Sequence, residues 1–206
     1  MKGAIFDLDG VLVDTAVYHY AAWKELATKL GFEFTEADNE RLKGVSRMKS
    51  LEILLSVGGI KATDDQKEKW AKEKNERYVK LLDNLSEGSL LSGAKEYLTK
   101  LHNEGVLIAL GSASKNAPLI LKKTGITDMF DAIVDGNSVS KAKPDPEIFL
   151  KGAELLGLKP EDCTVFEDSQ AGIDAARAGG FSVVAVDRFN VLKNADMSIK
   201  ELADML

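Results

Sequence analysis

The sequence predicts an α/β protein, an open parallel sheet with helices on both faces, interrupted early by an all-helical insert. Three observations predict it. Short apolar runs of strand length recur along the chain, segments with helical periodicity separate them, and residues 15 to about 85 carry helical texture with no convincing strand. Strands that alternate with helices imply crossover connections and therefore a parallel sheet. A helical stretch placed between the first strand and the second reads as an inserted unit.

Taken in order, "GAIF" (3–6) is the first strand. In the insert, Ala16, Tyr20, Trp23, Ala27 and Leu30 keep a helical stripe, and "SLEILLSVGG" and "DDQKEKWAKEKNERYVKLLDN" continue the same texture. The insert ends near "LSEGSLLSG" (85–93), whose Ser and Gly content suits a hinge. Ala94, Tyr97, Leu98 and Leu101 then mark a helix before the strand "VLIAL" (106–110), and "DAIV" (131–134) is the next strand. "DPEIFLKGAELLG" reads as a helix with Asp145 as N-cap candidate, Pro146 at its start and Gly157 as its stop. "CTVF" (163–166) and "SVVAV" (182–186) complete the strands.

With 206 residues, 45% of them hydrophobic and 29% charged, the chain can bury one full core and a second, smaller unit. The 27 basic against 33 acidic residues give a net charge of −6, which disfavours nucleic acid and anionic membranes as partners. An anionic ligand must then be small and locally paired. Cys163 is the single cysteine, so an intramolecular disulfide is excluded, in keeping with a reducing cytosol. No apolar stretch approaches the roughly 20 residues of a membrane span, and the N-terminus, with one lysine and acids by position 7, does not read as a signal peptide. The protein is expected to be cytoplasmic and monomeric.

Asp7 and Asp9 follow the first strand directly, with Asp14 five residues further on. An isolated D-x-D-G can simply cap a turn. In a parallel sheet, however, ligands bind at the carboxyl ends of strands, and other polar groups fall at strand ends here too. Ser112 and Ser114 follow "VLIAL", Lys143 lies in "KAKPDP" after the next strand, and Glu167 and Asp168 follow "CTVF". Taken singly, Ser112 reads as a helix cap, Lys143 as a solvated loop lysine and Glu167 with Asp168 as ordinary surface acids. Together they are predicted to meet at one edge, where the helix start at Asn116-Ala117-Pro118 also offers backbone N–H groups to an anion.

"DLDGVLVDT", "SAS", "KPDP" and "EDSQAGIDAARAGG" match the four motifs of the haloacid dehalogenase superfamily of phosphoryl-transfer enzymes, which the chain resembles over essentially its whole length. The resemblance implies a Rossmann-like core (1–14 and 88–206) carrying a helical cap domain (15–87). It also implies Asp7 as phosphoryl-accepting nucleophile, Asp9 as general acid and base, Ser112 and Lys143 as phosphate ligands, and Mg²⁺ held at Asp7, Asp9, Glu167 and Asp168. The residue types suit the chemistry. A carboxylate can accept a phosphoryl group and split one transfer into two steps, while a cation and a lysine offset the charge of an anion attacking an anion.

Within the insert, "VYHYAAWKEL", "LKGVSRMKSLEILL" and "KNERYVKLL" are similar to the cap of the beta-phosphoglucomutases of that superfamily. That resemblance implies a substrate site of Thr15, His19, Trp23, Lys43, Gly44, Val45, Ser46, Arg47, Ser50 and Lys74, with Ala113, Ser114, Lys115 and Asn116 from the core side. Ordinary roles stay open for several of these. Lys74, four residues from both Trp70 and Tyr78, could lay its stem along a helix face, His19 could be a polar face residue, and Trp23 belongs to the apolar stripe. The expected activity is a mutase interconverting beta-D-glucose 1-phosphate and glucose 6-phosphate through an aspartyl phosphate and a bisphosphate. A sugar-phosphate phosphatase on the same scaffold is the alternative, and a non-catalytic sugar-phosphate-binding protein is a third reading.

Overall fold

The computed structural model describes residues 1–206. Its sheet has six parallel strands: β1 (Gly3–Phe6), β2 (Leu107–Gly111), β3 (Ala132–Val134), β4 (Cys163–Glu167), β5 (Ser182–Val186) and β6 (Met197–Ile199), in the order β3-β2-β1-β4-β5-β6. Because side chains alternate along a strand, each strand feeds two layers. Ala4, Phe6, Ile108, Leu110, Phe166, Val184 and Val186 face one, with α5 (Ala94–Asn103) and α6 (Ala117–Thr124). Ile5, Ala109, Val165, Val183 and Ala185 face the other, with α7 (Glu147–Leu155) and α8 (Gln170–Ala178). A sheet buried on both faces explains why the strands read as unbroken apolar runs.

Chain order reverses at β1. The path runs outward through β2 and β3, then crosses back to β4 on the other side of β1, so the loops after β1 and β4 diverge and leave a crevice above neighbouring strand ends. Phe6 pairs in register with both Leu110 and Phe166, and its ring stacks on Phe166 with centroids 4.5 Å apart, contributing about 0.5–1.5 kcal/mol beyond the buried area. The residues that follow these strands are thereby held against a close-packed floor.

The helices of the insert are α1 (Ala16–Leu30), α2 (Glu36–Glu40), α3 (Arg47–Val57) and α4 (Asp64–Leu81). Three start on hydroxyl caps. Thr35 and Thr63 form capping boxes with Asp38 and Gln66, and the Ser46 hydroxyl accepts from Lys49 N–H. The helices enclose their own core of Trp23, Leu26, Ala27, Phe34, Leu51, Leu54 and Leu55, while Ala22, Tyr78 and Leu82 pack with Leu8 and Leu12 in the layer under the sheet.

Some expectations need correction. The buried face of α1 is Ala22, Trp23, Leu26 and Ala27; Ala16, Tyr20 and Leu30 are only partly buried, because the helix turns its 22-23-26-27 edge into the insert's core. Asp145 is not the N-cap of α7. Pro146 holds that position, and the Asp145 carboxylate instead accepts the Glu147 N–H. Strands β2 and β4 extend by one residue to Gly111 and Glu167, where ladder pairing continues past the apolar run, and β6 adds an edge strand.

Candidate active site

Asp7 leaves the end of β1 with its N–H bound to Phe166 O at 2.9 Å, which anchors the turn to β4. Its carboxylate accepts from Lys143 Nζ at 2.7 Å, and the same ammonium donates to Glu167 at 2.5 Å. All three are buried. The second oxygen of Glu167 accepts from both the N–H and the hydroxyl of Ser169, each at 2.8 Å. Glu167 thereby holds Lys143 and the start of α8. Gly172 is obligatory beside it, since a Cβ there would stand 1.9 Å from Glu167 Oε1.

One ammonium cannot neutralise two carboxylates, and the ionisations show it. Burial raises Asp7 to about 7; Lys143 pulls it down, while Glu167 and Asp9 push it further up. Lys143 loses to burial but gains more from its two carboxylates and is held above the ordinary lysine range. Asp168 is raised well above the carboxylate range by burial, then by Glu167 and Asp7, with Lys43 at 4.0 Å offsetting part of it. Asp7, Glu167 and Asp168 present oxygens within 4.8 Å of one another. An all-oxygen donor set with excess negative charge fits a divalent cation. Asp7, Glu167 and Asp168 each keep lone pairs beyond their hydrogen bonds to offer such an ion.

The Asp9 carboxylate accepts from the buried Thr15 hydroxyl and lies apart from the clustered acids, which leaves its backbone carbonyl as the group that could face a metal. Burial raises its pKa, with the Thr15 bond and Lys143 pulling it back. A carboxyl turned away from the acids toward the cavity is placed to move protons.

Above these residues lies a cavity of about 1050 Å³, bounded by the sheet's strand ends on one side and the insert on the other. Asp7, Asp9, Lys143 and Asp168 line it, as do Thr15, His19, Trp23, Lys43 through Arg47, Ser50, Lys74, and Ala113 through Asn116. Ser112 and Glu167 lie beneath its surface; the Ser112 hydroxyl, fully buried, accepts the Ser114 N–H at 3.1 Å. Gly44 brings the insert down onto the core. It adopts φ +70°, and a Cβ there would approach Ser169 Oγ to 2.4 Å.

Lys74 resolves the alternative left open for it. Its side chain is buried, with Nζ 4.4 Å from the Trp23 ring centroid and 4.7 Å from that of Tyr78, and it shares a hydrogen bond of 2.9 Å with His19 Nδ1. No carboxylate pairs with it. Burial, assisted by Arg47, lowers it to about 7, with Asp9 acting in the opposite direction. Burial, then Lys74 and Arg47, lower His19 well below its usual value. Burial lowers Arg47 as well. Sequence reasoning missed Asn75, whose amide oxygen accepts from Asn116 Nδ2 at 2.9 Å across the cavity, and the wall residues Tyr78, Asn39 and Ser169. Only the position of Asn75 beside Lys74 and of Tyr78 one turn beyond it could have pointed to them.

Residues 1–180 match the haloacid dehalogenase-like hydrolase family. The chain is 43% identical to a beta-phosphoglucomutase of Bacillus subtilis (strain 168), over all of this chain and 92% of that protein. It is 32% identical to a phosphorylated carbohydrates phosphatase of Thermotoga maritima, over 87% of this chain and 82% of the relative. A crystal structure of a beta-phosphoglucomutase from Clostridium difficile superimposes with a TM-score of 0.95 at 40% identity, covering all of this chain and 93% of the other.

Proposed function

Because the chain belongs to the haloacid dehalogenase-like hydrolases, we propose that it is a beta-phosphoglucomutase, interconverting beta-D-glucose 1-phosphate and D-glucose 6-phosphate. One observation carries this reading. The 43% identity to the B. subtilis enzyme spans the whole chain, insert included, and the insert is where a mutase must differ from a phosphatase.

In this mechanism Asp7 carries the phosphoryl group. The C6 hydroxyl of glucose 1-phosphate attacks phosphorus, the bond to Asp7 Oδ breaks, and Asp9 takes the hydroxyl proton. The resulting 1,6-bisphosphate turns end for end. Asp7 then attacks the C1 phosphate, Asp9 returns its proton to the C1 oxygen, and glucose 6-phosphate leaves with the phosphoenzyme restored. Lys143 holds the nucleophile and offsets charge on the transferring group. Arg47, with Ser114, Lys115 and Asn116, holds the phosphate that is not reacting, by charge-assisted hydrogen bonds. Asp7, Asp9, Glu167 and Asp168 would hold Mg²⁺, which would offset the charge as carboxylate and phosphate approach.

Residues 15–87 act as a cap and residues 1–14 with 88–206 as the core, closing on each other to exclude water and so limit hydrolysis of the aspartyl phosphate. The enzyme works as a cytoplasmic monomer.

The deciding experiment follows glucose 6-phosphate formed from the beta anomer alongside free phosphate. Mutase flux exceeding phosphate release supports the proposal; phosphate release without isomerisation makes the chain a sugar-phosphate phosphatase, as its T. maritima relative is named. Chelator should abolish turnover and Mg²⁺ restore it.

A further inference from the structure

Charge is divided unevenly between the cavity and the rest of the molecule. Nine Lys and Arg and seven Asp and Glu line the cavity, a formal excess of two positive charges, in a chain whose net charge is −6. The remaining 18 basic and 26 acidic residues leave an excess of eight negative charges everywhere else. Two of the lining cations have no part in the mechanism above. Lys72 is exposed on α4 and Arg188 is exposed on the loop after β5, and neither forms an ion pair. Asp14 and Glu68, also exposed along the lining, offset part of this charge and are counted in the excess. The loop that carries Arg188 is built around the buried Asp187, whose N–H binds Ile199 O at 2.7 Å and whose carboxylate accepts the N–H groups of Phe189 at 3.2 Å and Leu192 at 2.7 Å. Arg188 is thereby held at the cavity from the core side, and Lys72 from the insert.

The most highly charged species in the mutase reaction is the bisphosphate. A phosphate monoester carries about −1.5 to −2 at pH 7, so the bisphosphate carries about twice the charge of either sugar monophosphate and responds about twice as strongly to the same field. The acidic body of the protein repels it, and the cavity attracts it. Clefts with a local excess of opposite charge raise association rates by about 10- to 10³-fold, an effect that salt screens. We propose that Lys72 and Arg188 are capture residues for the bisphosphate intermediate: exposed and unpaired, they draw it from solution to the cavity, where Arg47 and Lys143 then hold it. This rests on the mutase reading, which alone makes a bisphosphate an obligatory species. The two residues act on encounter and leave the chemical step to others.

The test is rapid-quench labelling of Asp7 by beta-glucose 1,6-bisphosphate in Mg²⁺, followed against bisphosphate concentration at ionic strengths of about 20 and about 300 mM. In the double variant Lys72→Gln, Arg188→Gln, the second-order rate constant should fall about tenfold at low salt and by less than threefold at high salt, with the maximal rate at saturation within twofold. Labelling by acetyl phosphate, which has about half the charge, should fall by less than threefold at either salt. A control pair, Lys61→Gln with Lys80→Gln, makes the same change in net charge at exposed positions outside the cavity and should leave the second-order rate within twofold. A rate constant equal to that of the control pair, a salt dependence equal to that of the unmodified enzyme, or a maximal rate that falls as far as the second-order rate would each overturn the proposal. If the bisphosphate fails to label Asp7 of the unmodified enzyme while acetyl phosphate succeeds, the mutase reading fails instead, and the two failures remain distinguishable.

Discussion

The two walls of the cavity handle buried charge in opposite ways. On the core side, Lys143 is matched by Asp7 and Glu167 at 2.7 and 2.5 Å, and every partner comes from a strand end or the loop that follows it. On the insert side, Lys74 is buried as deeply but is held by two aromatic faces and the His19 imidazole. The core carries excess negative charge and is complete only with a cation. The insert buries a basic group without a carboxylate partner, whose charge an anion would restore. A substrate with two phosphate-bearing ends satisfies both, which is why neither wall alone makes a site.

The largest expected effect breaks the core wall. Asp7→Asn should abolish phosphoenzyme formation and lower turnover by on the order of 10⁴-fold or more, with the thermal midpoint kept, since one of three clustered acids is neutralised. Acid-stable phosphate labelling at another residue would remove Asp7 from its role.

Next, Lys143→Met leaves Glu167 and Asp7 facing each other in a buried site. Removing one member of a buried ion network costs about 3–5 kcal/mol, to be read from chemical denaturation together with loss of turnover. A stability equal to wild type would mean that the ion triad is not what holds the core wall.

Arg47→Ala tests the insert wall. It should lower mutase kcat/KM by tenfold or more, on about 1.5–3 kcal/mol for hydrogen bonds to a charged group. Labelling of Asp7 by acetyl phosphate should persist, because that donor does not reach the far phosphate site. Equal loss with both donors would merge the two walls into one.

Lys74 sharpens the contrast through pH. Its folded-state pKa, about 7, lies below the ordinary lysine value of 10.5. Between those values the unfolded chain binds more protons, so stability should rise with pH across that window. Lys74→Met should flatten the rise, measured by guanidinium melts at pH 7 and pH 9. Binding of a sugar phosphate should restore the charge and take up a proton near pH 8, seen as a buffer-dependent heat in calorimetry. The smallest effect belongs to Asn75→Ala, which removes one bridge between the walls and should lower kcat/KM by about two- to tenfold.

The core wall was the legible one. Asp7, Glu167 and Asp168 each follow an apolar run and Lys143 lies in the loop after another, and a strand followed by polar residues is a local pattern that a parallel sheet converts into one edge. The insert was legible as helices, because periodicity is local, but its site residues were legible only by likeness. Nothing in the spacing of Lys74 distinguishes a stem on a helix face from an ammonium enclosed between Trp23 and Tyr78.

By itself, then, the sequence determined the strands whose burial on both faces leaves an unbroken apolar run, the helices with hydroxyl caps, and the acids that follow β1 and β4. Only the tertiary structure decided what depends on residues distant in the chain. β6 has two of its three residues exposed and exists because β5 offers an edge. The Asp9 carboxylate turns to Thr15, Asn75 meets Asn116, and Lys74 is enclosed by Trp23 and Tyr78. The physical reason is common to all of these. A residue's local pattern sets its backbone, but its ionisation and hydrogen bonds depend on which groups share its buried volume, and those are brought together by packing across the cavity.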